Sequence, residues 1–354
     1  MNNTDAYESD PAWYISAMNV RVDSPDTLYA NGRQQVLVTL LVTAMVDRKV
    51  VDLTPNEVSN LRVVDYDNPT VEYALDTPAA DGWTASLDYY GYDYLGTRHP
   101  PTPAQLPAPQ QQSFSFYLSG DNRAMARPIR TFAFKVKGDN GRVFYTNGNS
   151  YLSDGTPDPI FKYDIPLRIN VTRPPVYDWQ QFTLSEFSDL PPTPGRIKRA
   201  LTTMRALGNR TGHAITAGVF NTRCTLTLRD NAGKAVPIRD AVVVPPGMIT
   251  WTMNHPDDTV PSFTGYVKPG GTTIHWHSLD KVPVGSLPLP VITSPVPAAS
   301  LVLCGRVNVP FTPAAFRGPC TVTVIDAAGN EHSAGVMFDP EDRSRLVLTG
   351  ALDA

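Results

Sequence analysis

Apolar and polar residues alternate with a period of two along much of this chain, the spacing of strands rather than helices. Met18, Val20 and Val22 alternate with polar neighbours, and Val36, Val38, Leu40, Val42, Ala44 and Val46 carry the period through one long strand. Phe114-Ser115-Phe116-Tyr117-Leu118 and Phe132-Ala133-Phe134-Lys135-Val136 repeat the habit. The second of these runs through Gly138-Asp139-Asn140-Gly141 into Val143-Phe144-Tyr145, a hairpin signal. Strands with one apolar face are covered most economically by packing two sheets together, so residues 1–175 are expected to form a large β-sandwich.

Further on, the chain writes one peptide twice. Cys224-Thr225-Leu226-Thr227-Leu228-Arg229-Asp230-Asn231-Ala232-Gly233-Lys234 returns as Cys320-Thr321-Val322-Thr323-Val324-Ile325-Asp326-Ala327-Ala328-Gly329-Asn330. Each copy sets Cys and aliphatics on one strand face and Thr on the other, then an Asp-x-Ala-Gly turn whose glycine supplies a positive φ. A duplicated β-hairpin is the expected structure. The two copies are either halves of one sandwich or heads of two small modules. The spacing of the copies and Pro288, Pro290, Pro295 and Pro297 between them favour two modules, 213–298 and a shorter 299–354.

Between the β regions, residues 176–212 read as a linker carrying one helix over 194–207. Thr193 suits its N-cap, Pro194 its first position and Gly208 its end, while Ile197, Ala200, Leu201, Met204 and Leu207 form an apolar stripe. Arg196, Lys198, Arg199 and Arg205 make the opposite face basic, which suits docking to an acidic partner or an anionic membrane surface, or simple solvation on a connecting helix.

The run Tyr29-Ala30-Asn31-Gly32-Arg33-Gln34-Gln35-Val36-Leu37-Val38-Thr39-Leu40-Leu41-Val42, a Gly-polar turn feeding a Val/Thr strand, resembles the start of bacterial Ig-like domains of the invasin and intimin type. The duplicated Thr-Val-Thr-Val-x-Asp-x-Ala-Gly-Asn stretch is similar to the mid-domain hairpin of other bacterial Ig-like repeats. The resemblance implies modules that display or connect binding surfaces without catalysis. The fold class expected is therefore all-β: tandem Ig-like β-sandwich domains with one short connecting basic amphipathic helix.

Composition narrows the function classes. The chain has 354 residues, 42% of them hydrophobic, enough for real cores, with 34 Pro and 24 Gly, and its formal net charge of −4 gives no global case for nucleic acid. The start, Met1 to Asp10, has no basic or apolar region of a signal peptide, and no stretch is apolar enough for a transmembrane helix. A protein cytoplasmic as made, or exported without a signal peptide or associated with a particle, is the expectation. Three cysteines cannot all pair within the chain, and packing as small hydrophobes is the simplest role for Cys224 and Cys320, with Cys304 a conceivable bridge partner.

Candidate chemistry is thin. Gly-x-Ser-x-Gly, phosphate-loop, dinucleotide and His-Glu-x-x-His patterns are missing from the sequence, so no enzyme and no cofactor are expected. His275 and His277 can point the same way from a strand, but only His255 and Asp257 offer further ligands, and no metal is expected. Asp65-Tyr66-Asp67-Asn68 has the composition of a calcium turn without the glycine and distal glutamate of that loop. The strongest functional segment is Asp88-Tyr89-Tyr90-Gly91-Tyr92-Asp93-Tyr94-Leu95-Gly96-Thr97-Arg98-His99, which joins four tyrosines to Asp, Arg and His and runs into a Pro/Gln stretch. Tyr89, Tyr90, Tyr92, Asp93, Tyr94 and Arg98 are the expected ligand-binding residues, because tyrosine couples rigid contact area to a hydroxyl; the alternative is an aromatic strand covering the core edge. The overall expectation is a non-catalytic binding or assembly protein contacting a protein or glycan surface, a bacterial or phage-particle component or an effector, and a candidate homo-oligomer. A membrane-acting toxin and a carbohydrate-active protein stand as alternatives.

Overall fold

The computed structural model describes residues 13–95, 111–158, 163–185, 188–189, 222–244, 248–249, 262–276, 292–305, 319–339 and 346–350. The chain divides into two units, 1–174 and 175–354. Both are built of strands, and the protein is all-β.

The first unit is a sandwich. One sheet runs β1 (Tyr14–Val22), β3 (Val36–Val46), β8 (Gln112–Gly120), β7 (Trp83–Ser86), with β4 (Lys49–Val51) on the end of β3. The other runs β11 (Ser150–Tyr151), β10 (Val143–Tyr145), β9 (Ile129–Lys137), β12 (Leu167–Thr172), β2 (Thr27–Tyr29), with β5 (Arg62–Asp65) joining β9 to β6 (Glu72–Tyr73). Val36, Val38, Leu40, Val42 and Ala44 of β3 meet Phe132, Phe134 and Val136 of β9 in one core, as the period of two requires. Leu37, Thr39 and Leu41, on the opposite face of β3, are buried as well, so this strand is covered on both sides. The hairpin at 138–141 joins β9 to β10, with Gly141 at φ 87°. Gly138 must remain without a side chain, since a Cβ there would run into the Trp13 ring.

A short helix, α1 (Pro55–Ser59), lies outside the strand pattern. Thr54 and Glu57 form a reciprocal capping box, and the buried Glu57 also accepts a hydrogen bond from the backbone N of Asp139 at 3.1 Å.

The second unit holds both copies of the repeated peptide in a single core. Copy one supplies β15 (Thr222–Leu228) to a sheet ordered β13 (Phe182–Leu184), β15, β20 (Ser300–Gly305), β18 (Ser262–Val267), β17 (Met248–Ile249), with β14 (Ser188–Asp189) beside β15 and β19 (His275–Trp276) beside β18. Copy two supplies β21 (Cys320–Asp326) to the facing sheet, ordered β16 (Ile238–Val244), β21, β22 (Glu331–Phe338), β23 (Leu346–Thr349). Cys224, Leu226 and Leu228 pack in the same cluster as Cys320, Val322 and Val324. Where two modules split near residue 298 were expected, one sandwich is found, because neither half has a second sheet of its own. Copy two continues as a hairpin along β21 and β22, whereas in copy one the antiparallel pairing past the turn is limited to the Arg229–Ala235 bridge. After its turn, the chain of copy one leaves β15 and crosses to the other sheet, where β16 pairs with β21. The segment expected to form the 194–207 helix lies outside the described residues.

All three cysteines are free and buried. Cys224 and Cys320 face the main core, while Cys304 joins Val267, Ile292, Val296 and Val302 on the other face of β20. Burial pushes Cys224 up to about 11, and Cys304 and Cys320 up to about 12. The native protein should thus release almost no colour from a disulfide thiol reagent at about pH 8, and all three thiols should react once guanidinium unfolds it. Above about pH 9 the unfolded thiols ionise while the folded ones stay protonated, so the folded state holds more protons and stability falls as pH rises toward 12. Denaturant midpoints at about pH 8 and 10.5 measure that loss.

Candidate functional site

The tyrosine segment is a latched loop lying against the outer face of the β3–β8 pair. Gln34 and Gln35, at the entry of β3, are each 1% exposed, although amides of this size usually sit in water. Their hydrogen bonds explain the burial. Gln34 accepts from the backbone N of Tyr29 at 2.6 Å and donates to the carbonyl of Asp93 at 2.7 Å. Gln35 donates to the carbonyl of Asp88 at 3.0 Å and accepts from the backbone N of Tyr90 at 2.7 Å. Both ends of the loop are therefore tied to one dipeptide, and Gly91, at φ 82°, turns the chain between them.

Within this frame the predicted residues separate. Tyr89 stacks on Tyr94 at 5.9 Å and on Tyr117 at 5.6 Å, and its hydroxyl donates to the carbonyl of Tyr92 at 2.5 Å. Tyr117 is the register partner of Leu37, so this aromatic stack lies over the entry of β3, while Thr39 further along the same face is held by Asp23 at 2.5 Å. Tyr94 is buried, and desolvation raises its phenol above the ordinary value. Asp93 takes part through its backbone carbonyl. Tyr90, 37% exposed, and the neighbouring Leu87, 55% exposed, face outward, with the Tyr90 hydroxyl 3.5 Å from Asp76. Arg98, Arg196, Lys198, Arg199 and Arg205 lie outside the described residues.

A second constellation escaped the sequence reading. Asp65 organises both a turn and an ion pair. Its Oδ1 accepts the backbone N–H of Asp67 at 2.9 Å and of Asn68 at 2.7 Å, while Oδ2 pairs with Arg130. Arg130 also reaches Asp81 at 3.2 Å and the Tyr73 hydroxyl at 3.2 Å, and Tyr73 donates to Asp81 at 3.0 Å. Burial raises the Tyr73 phenol well above its usual range. Beside this network opens a cleft of about 600 Å³ between the turn at residues 79–82 and the 3-10 turn Asn122–Ala126. Asp81, Arg123, Arg127 and Arg130 line it together with Trp83 and alanines. These residues come from three separate segments, so no local motif announced them; the capping pattern Asp121-Asn122-Arg123 was the one readable signal.

The remaining chemistry is dispersed. His275 is exposed and stacks on Tyr266 at 5.3 Å, and His255, Asp257 and His277 lie outside the described residues. Among the described residues no three His, Cys, Asp or Glu side chains converge to hold a metal ion.

Neither a family model nor a curated protein matches this chain. Among solved structures it is similar to FdeC, a broadly conserved Escherichia coli adhesin, at 12% identity and a TM-score of 0.19, over 96% of this chain and 66% of that one. It is similar also to invasin, a bacterial integrin-binding protein, at 9% identity and a TM-score of 0.16, over 90% of this chain and 59% of that one. This chain thus spans less than two thirds of either structure. Among the described residues no helix is long and apolar enough to cross a membrane.

Proposed function

We propose that this protein is a non-catalytic recognition protein that uses a β-sandwich to present the loop at residues 88–95 to a protein or glycan surface. The observation that carries the reading is the double glutamine latch. Two buried amides hold the loop from behind at both ends, leaving Tyr90 and Leu87 at the surface. A loop fixed before binding loses little conformational entropy on contact, and an exposed tyrosine beside a leucine provides amphipathic area at low rotamer cost. Tyr89 and Tyr94 serve as the rigid base, and the exposed Tyr90 and half-buried Tyr92 as the contacts.

Glycan-array and cell-surface binding of the full chain test this, with Tyr90→Ala and Tyr94→Ala as the informative pair. Tyr90→Ala should weaken binding by about tenfold or more while the melting temperature holds. Tyr94→Ala removes a buried ring and should cost about 3 kcal/mol or more of stability. Binding that survives Tyr90→Ala and Tyr92→Ala undiminished would remove the loop from the contact surface.

A further inference from the structure

The arginine-lined cleft of the first sandwich is a separate site, and we propose that it binds a carboxylate-bearing sugar. Its construction is specific. The two turns that form its walls are tied by the Gly82 carbonyl accepting from the backbone N of Asp121 at 2.9 Å. Gly82 has φ 85°, and a Cβ there would stand 2.8 Å from the backbone N of Ala124, so the close approach that shapes the cleft requires glycine. Ala80, Ala124 and Ala126 leave a small-residue lining above Trp83 where larger side chains would fill the space.

The three arginines are not equivalent. Arg130 is held by Asp65, Asp81 and Tyr73, and Arg123 by Asp121 at 2.6 Å. Arg127, exposed at the end of the 3-10 turn, makes no side-chain hydrogen bond or ion pair among the described residues. Its planar fork is therefore available for two parallel hydrogen bonds to a carboxylate or phosphate. Asp81 decides between these anions. Its carboxylate, with that of Asp65 behind Arg130, opposes a dianionic phosphate more than a single-charged carboxylate, and it can accept hydrogen bonds from hydroxyl groups. A cation for the acid, an acceptor for hydroxyls and about 600 Å³ of space match an acidic mono- or disaccharide.

Ligand-observed NMR on the full chain tests this with glucuronic acid, galacturonic acid and N-acetylneuraminic acid as probes, against glucose, glucose 6-phosphate and a glutamate-rich peptide. At least one acidic sugar should bind in the millimolar range, with glucose at least about tenfold weaker. Arg127→Ala should weaken that binding about tenfold with the melting temperature unchanged, whereas Lys49→Ala, which removes an equal charge from exposed β4, should leave it intact. Raising salt from about 50 to 500 mM should weaken it as well. Equal binding of glucose, tighter binding of glucose 6-phosphate or of the peptide, full retention in Arg127→Ala, or no binding of any of the three acidic sugars would overturn the proposal.

Discussion

Asp326→Ala should cost about 3–5 kcal/mol, while Asp230→Ala, the same change at the same place in the repeated peptide, should cost only about 1 kcal/mol. Both carboxylates make the same turn. Asp326 Oδ1 accepts the N–H groups of Ala328 and Asn330, each at 2.9 Å, and Asp230 Oδ1 those of Ala232 and Lys234, each at 2.9 Å. The two turns differ in what lies behind them. Asp326 is 4% exposed, and its second oxygen takes Asn330 Nδ2 at 3.0 Å and lies 3.1 Å from His332 Nε2. In copy one the positions of Asn330 and His332 are filled by Lys234 and Val236, and the Asp230 turn stays partly in water. Removing Asp326 strips a partner from four donors at once, three of them buried, with His332 already packed against Tyr177 at 4.7 Å. Thermal unfolding should register the difference as roughly 10 °C for Asp326→Ala against a few degrees for Asp230→Ala. Equal losses at the two sites would mean that the turn hydrogen bonds alone set the effect.

The same contrast marks what sequence can and cannot convey. Period-two patterning located β1, β3, β8 and β9, and the Gly-rich turn located the β9–β10 hairpin, because each follows from residues close in sequence. The repeat revealed two turns of one geometry. It did not reveal that their strands belong to opposite sheets of one core, since the choice between pairing with the next strand and crossing the sandwich depends on distant partners. α1 was missed although Thr54-Pro55-Asn56-Glu57 carries a capping signal, because five residues give no period to read. At the tyrosine loop, type and position were legible but direction was not. Tyr94 and Tyr90 differ in burial because Gln34 and Gln35, more than fifty residues earlier, fix which way the loop faces. Asp65 was legible as a turn residue, while its ion pair with Arg130, on a strand 65 positions later, was not.

That ion pair carries the other large expectation: Arg130→Met should destabilise the first sandwich by about 3 kcal/mol. Methionine preserves most of the arginine stem, so lost packing is small and the effect isolates the charge. With the guanidinium gone, Asp65, whose side chain is 7% exposed, stands as a carboxylate with no cation beside it, and the Tyr73 hydroxyl loses one of its two partners. The loss falls at the low end of the range for broken buried pairs, because Asp81 is one-third exposed and can be rehydrated. Asp65 also holds the turn that follows β5 through the N–H groups of Asp67 and Asn68. Asp65→Asn keeps an oxygen for that turn and removes the charge. The double variant Arg130→Met with Asp65→Asn should therefore recover at least about 1 kcal/mol relative to Arg130→Met alone, a coupling that a urea-denaturation cycle measures. Additive losses in that cycle would show that Arg130 supports the sandwich by packing, against Tyr73 and the T-shaped pair that Tyr73 makes with Phe132 at 5.2 Å, and not by neutralising Asp65.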